Sequence, residues 1–133
     1  MEVKIDTKEK FTVVTPILPK LTDIIAAEIA DTCNLQLQKE VKNVILNLSK
    51  VVLVEELATK TIIDLQQKFY DNSASFVICS LQSSVEKAFE ELELIELLNI
   101  TPTESEAWDI VQMEEIEREL LDGDDVTFDG KGS

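Results

Sequence analysis

Residues 42–49, KNVILNLS, carry Val44, Ile45, Leu46 and Leu48 almost without a polar break, between two longer segments of helical period. A strand with one wet face alternates apolar and polar side chains. A nearly continuous apolar run reads instead as a buried strand, of the kind found in sheets packed against helices. SFVICSL (75–81), short, β-branched and aromatic, is a second such strand.

The segments around these strands set the order. VKID (3–6) and FTVVTPIL (11–18) are β-rich and are joined by the charged turn TKEK, which predicts an antiparallel hairpin. Pro16 and Pro19 end its second strand or hold it near an edge. Thr22 and Asp23 are N-cap residues for a helix to about Lys39, with Ile25, Ile29, Cys33 and Leu37 on one stripe. Ala58, Thr61, Ile62, Leu65 and Phe69 recur at helical spacing until DNSA (71–74) stops them. SSVEKAFEEL (83–92) is a third helix, with Val85, Ala88, Phe89 and Leu92 inward, and IELLNI (95–100) a last short strand. Thr103 and Glu106 form a capping box that opens a helix to about Leu120, with Ala107, Ile110 and Val111 inward. DGDDVTFDGKGS reads as an acidic, disordered tail.

The expected order is ββαβαβαβα. Strands separated by single helices imply right-handed crossovers. The predicted fold is therefore a single α/β domain over residues 1–120, followed by a tail over 121–133. Its sheet is mixed but mostly parallel, of about five strands with an N-terminal hairpin, and its helices lie mainly on one side.

Absences narrow the function. The chain has no histidine, which removes imidazole acid–base catalysis and the commonest metal ligand. Glycine does not occur before Gly123, so no glycine-rich loop can cradle a phosphate. The formal net charge of −15 opposes a nucleic-acid backbone or an anionic membrane surface. No metal or cofactor is implied. No apolar run is long enough to span a bilayer and MEVKIDTKEK has no signal-peptide core, so a cytoplasmic address is expected. Cys33 and Cys79 lack the spacing of a zinc site or disulfide scaffold and read as reduced thiols in or near the core. The charge is uneven: residues 1–85 hold nine basic and eleven acidic side chains, residues 86–129 two and sixteen. This suits a solvated helix face with a tail, or a surface that steers basic partners.

Between the buried strand and the second helix stands VVLVEELATK (51–60), an apolar run that breaks into two carboxylates. Three roles suit Glu55 and Glu56: favourable charge in the first turn of a helix, fixed negative charge on Glu56 standing in for a phosphate, or a catalytic pair. Trp108 suits either a partner anchor or partial burial on the sheet.

The order and spacing of FTVV (11–14), the helix at 21–39, KNVILNLSKVVLVEELATKTIIDL (42–65) and FVICSLQSSVEKAFEELELIELLNI (76–100) resemble a STAS domain. This is the fold of bacterial anti-sigma factor antagonists and of cytoplasmic domains on sulfate transporters. In that family a D-L-S strand runs into a D-S-S-G-L loop whose second serine a kinase phosphorylates. Asn47-Leu48-Ser49 stands for D-L-S here. That register puts Glu55 on the aspartate, Glu56 on the first serine, Leu57 on the phospho-acceptor and Ala58 on the glycine. Leucine has no hydroxyl to modify.

The resemblance implies a non-enzymatic domain that binds an anti-sigma factor or kinase-like regulator. Its contact residues would be Thr22, Asp23, Glu55, Glu56, Leu57, Ala58, Thr59 and Lys60, without the usual phospho-switch. Thr59, read as exposed, is a possible substitute acceptor, whereas Thr61 is expected on the core stripe. The rival classes are a small-ligand domain or enzyme, with a polar pocket near Glu55 and Ser80, and a structural, oligomer-forming subunit.

Overall fold

In the computed structural model, which describes residues 2–91 and 98–127, seven strands and four helices follow in the order βββαββαβαβα. Strands β1 (Val3–Thr7) and β2 (Thr12–Pro16) pair antiparallel, with Val3 opposite Pro16 and Thr7 opposite Thr12. The turn between them is closed by the Lys8 amide donating to the Phe11 carbonyl at 2.8 Å. β2, β4 (Val44–Asn47), β6 (Phe76–Cys79) and β7 (Ile100–Thr101) then pair parallel, giving the sheet order β1-β2-β4-β6-β7. The mixed α/β fold has the expected hairpin and five-stranded sheet.

Its strands are apolar on consecutive positions because both faces are covered, with a period of two. Val14, Val44, Leu46, Phe76 and Ile78 face α1 (Asp23–Gln36), α2 (Glu56–Asp71) and α3 (Ser83–Glu90), where they join Ile29, Cys33, Ile62, Phe69 and Phe89 in the larger core. Val13, Ile45, Val77 and Cys79 face the other way, against Ala107 and Val111 of α4 (Glu104–Thr127). Three helices thus lie on one side and one on the other. Trp108 is half-buried, its ring 4.7 Å from that of Phe11, so it serves the smaller core.

Several boundaries differ from the pattern. α1 stops at Gln36, and residues 37–39 continue in tighter turns, each amide bonding to the carbonyl three residues back. The last described strand is Ile100–Thr101; residues 92–97, which include Leu92 and the expected strand start at Ile95, lie outside the described residues. α4 continues to Thr127, seven residues past Leu120, so the helix takes in the first part of the expected tail. Residues 128–133 lie outside the described residues. The stripe of α2 is also turned by part of a step: Thr59 is buried at 1% exposure and Thr61 is only half-buried, the reverse of the expectation.

A second, two-stranded sheet has no counterpart in the sequence pattern. β3 (Lys20–Leu21) pairs parallel with β5 (Leu53–Val54), Lys20 opposite Leu53. The carbonyl of Pro19 accepts from the amides of both Val52 (2.8 Å) and Leu53 (3.0 Å), and the Glu55 amide donates to the Leu21 carbonyl at 2.9 Å. This small clamp brings the starts of α1 and α2 side by side.

Candidate functional site

The carboxylate pair separates at this junction. Glu55 is the N-cap residue of α2, yet its side chain makes no bond to its own helix. It crosses to α1, where Oε1 accepts from the Asp23 amide at 3.0 Å, and Oε2 lies 3.7 Å from Lys20 Nζ. The Asp23 carboxylate accepts from the Ile24 amide at 3.0 Å, and Thr22 Oγ1 accepts from the Ile25 amide at 3.1 Å. The first three amides of α1, which no intrahelical carbonyl can reach, therefore each have a side-chain oxygen. Glu55 acts at a helix start as the sequence suggests, but the start is that of the neighbouring helix. Glu56 lies in the first turn of α2, is exposed, and takes the place favoured for negative charge.

The other expected contact residues divide by burial. Leu57 is 58% exposed and Lys60 is exposed, whereas Ala58 and Thr59 are buried beneath them. The Thr59 hydroxyl donates to the Glu56 carbonyl within its own helix. The hydroxyl is buried and engaged within its own helix, which corrects the reading of Thr59 as exposed. Ala58 and Thr59 act as packing under the rim rather than as its surface.

Sequence reasoning missed the apolar neighbours. Val51 is buried, but Val52 and Leu53 turn outward, Leu53 at 58% exposure. Ile24, next to the Asp23 cap, is 70% exposed. Ile24 stands at the start of α1, Leu53 on the β5 strand of the clamp and Leu57 at the start of α2, which also carries the exposed Glu56 and Lys60. The Ser84 hydroxyl bonds to the Val52 carbonyl at 2.6 Å, and Gln82 Nε2 to the Ser49 carbonyl at 2.9 Å, which tie the rim to the start of α3. Asn47 ends β4 by accepting from the Ser49 amide at 2.9 Å.

Two cavities, of about 670 and 360 Å3, open elsewhere. The larger sits at the amino-terminal ends of the parallel strands, where it is lined by Lys8, Lys10, Lys42, Asn43, Glu115 and Arg118. Neither is lined by Glu55 or Ser80. Both cysteines are buried and free; burial pushes the Cys33 thiol up to about 12 and raises that of Cys79. No described helix is long and apolar enough to cross a membrane.

The STAS domain model matches residues 2–107, most of the chain. The chain belongs to the STAS domain family. Solved structures share the fold at low identity. A candidate anti-sigma factor antagonist from Thermotoga maritima superposes with a TM-score of 0.73 at 19% identity, covering 83% of this chain and 94% of the other. The anti-sigma factor antagonist SpoIIAA, in its unphosphorylated form, gives 0.66 at 15% identity over 84% and 96% of the two chains. A serine-to-glutamate variant of RsbS from Moorella thermoacetica gives 0.70 at 14% identity over 89% and 99%. No curated protein matches the chain.

Proposed function

We propose that this STAS domain is a non-enzymatic, cytoplasmic regulatory module. On this reading it binds a protein partner of the anti-sigma factor or kinase-like class through the rim formed by Thr22, Asp23, Glu55, Glu56, Leu57 and Lys60, with Ala58 and Thr59 packed beneath it. It does so without phosphorylation at the motif position. The observation that carries this reading is the exposed Leu57 at that position, flanked by the exposed Ile24 and Leu53. Where a serine would offer a surface that phosphate turns strongly negative, leucine offers a fixed apolar contact. Glu56 adds one permanent negative charge beside it.

The test is to mix the purified chain with kinase-like regulators encoded near its gene, with magnesium and ATP. A stable complex on gel filtration without phosphate transfer is the expected result. Leu57→Ala should weaken it by about 1–2 kcal/mol, the worth of most of a buried leucine side chain, and Leu57→Glu by more. Phosphate transfer to the chain, or equal affinity of all three forms, would overturn the proposal.

A further inference from the structure

The outer face of α4 presents a surface that neither the sheet nor the α1–α2 rim uses. Ala107 and Val111 of this helix are buried against the sheet, whereas Met113, Ile116 and Leu120 are 54%, 56% and 62% exposed. Spacings of three and four residues set these three side chains in one stripe, and at 100° per residue the stripe lies almost opposite Ala107 and Val111. They therefore contribute nothing to the core. A contiguous apolar stripe with a charged rim is the usual mark of a protein–protein contact.

The rim identifies the kind of occupant. Written as a heptad with Met113 and Leu120 at a and Ile116 at d, the flanking e and g positions are Glu117 and Glu119. The one basic residue of α4 is Arg118, and it is turned inward, donating to Ser75 Oγ at 3.3 Å and to Asn43 Oδ1 at 3.5 Å. Two copies paired through this stripe would set carboxylate against carboxylate or against Gln112, with no free cation on either helix to answer them. An anionic membrane meets the same repulsion. A helix of another protein, apolar on one face and carrying lysine or arginine along its edges, would fill the stripe and neutralise Glu117 and Glu119 together.

We infer that the outer stripe of α4, Met113, Ile116 and Leu120 edged by Glu117 and Glu119, is a docking site for a basic amphipathic helix of a second protein. It stands on the opposite side of the sheet from Leu57, and its occupation is independent of the rim.

The probe is an 18-residue leucine–lysine peptide with leucines at i, i+3, i+4 and i+7, titrated into the isotopically labelled full chain. Amide shifts confined to residues 112–121, with affinity falling as salt rises, are expected. Ile116→Asp combined with Leu120→Asp should cost at least tenfold in affinity with the melting temperature held, since both side chains are exposed. Glu117→Lys with Glu119→Lys should also cost tenfold, and should confer binding of the matching leucine–glutamate peptide. Four results would overturn the inference: shifts centred on Leu57, equal binding of a scrambled peptide without an apolar face, no binding at millimolar peptide, or a concentration-dependent dimer that Ile116→Asp dissolves.

Discussion

Removing the Glu55 carboxylate should loosen α1, although the residue belongs to α2. Its Oε1 holds the Asp23 amide at 3.0 Å and its Oε2 stands 3.7 Å from Lys20. A hydrogen bond to a charged acceptor is worth about 1.5–3 kcal/mol, and a cap on a helix start typically about 1. The side chain is 39% exposed, so water replaces part of what is lost. Glu55→Ala should therefore cost about 1–1.5 kcal/mol. Glu55→Gln keeps an acceptor and loses only the charge, so it should cost about 0.3–0.7 kcal/mol from the helix dipole and the exposed Lys20 pair. Unfolding entropy of about 2.1 cal/mol/K per residue over this chain length converts 1 kcal/mol to a shift of ~4 °C. Melts followed by circular dichroism should thus fall by about 4–6 °C for the alanine variant and about 1–3 °C for the glutamine variant. High salt should erase the deficit of the glutamine form. In the alanine form alone, the Asp23 amide should exchange faster in native-state hydrogen exchange. Glutamine as harmful as alanine, or alanine indistinguishable from the parent, would refute a hydrogen-bonded cap supplied across the two helices.

Asn43 should prove a second keystone, at the other end of the sheet. Its side chain accepts from the Ser75 amide at 2.8 Å and donates to the Lys10 carbonyl at 3.0 Å and Glu115 Oε2 at 2.8 Å. Asn43→Ala leaves a buried amide without its acceptor, so urea unfolding should show a loss of about 2–4 kcal/mol; less than 0.5 would contradict this reading. The thiols give a pH signature. Because burial raises Cys33 to about 12 and raises Cys79 as well, neither should react with a disulfide reagent at pH 8 until the chain is unfolded. The folded state favours the protonated thiols, so their contribution is complete below the ordinary thiol value near 9. It should decline as pH climbs from 9 towards 12, and Cys33→Ala should flatten that decline. Rapid labelling of both native thiols would contradict the burial.

What could be read from the sequence is whatever a side-chain pattern encodes. Val44–Leu46 and Phe76–Cys79 announce a doubly covered sheet because every position must be apolar, and the cap pair Thr22–Asp23 announces α1 because short side-chain oxygens beside a helix start reach its free amides. The clamp of β3 and β5 was not legible, since its bonds are between backbone groups around Pro19 and Leu21 and any side chain would serve. The outward turn of Val52 and Leu53 follows from that clamp and was hidden with it. Thr59 and Thr61 lie two steps apart on a helix, so a modest rotation of α2 exchanges which is buried. Arg118 gave no sequence signal for its bonds to Ser75 and Asn43, because residues 43 and 75 positions away meet it only in the folded chain. The sequence left Glu55 and its neighbour three roles, one of them charge in the first turn of their own helix; the fold puts the Glu55 carboxylate on the first amide of α1 instead.

The shared carbonyl of Pro19 has a mechanical corollary. With Val52 and Leu53 hung from one oxygen and Glu55 reaching over to Asp23, neither helix can swing at its amino end without dragging the other. The opening turns of α1 and α2 should unzip in a single event, with matching exchange rates, rather than fray one at a time. A protein grasping Leu57 would then also have hold of Ile24, and a tug on either would be felt by both helices at once.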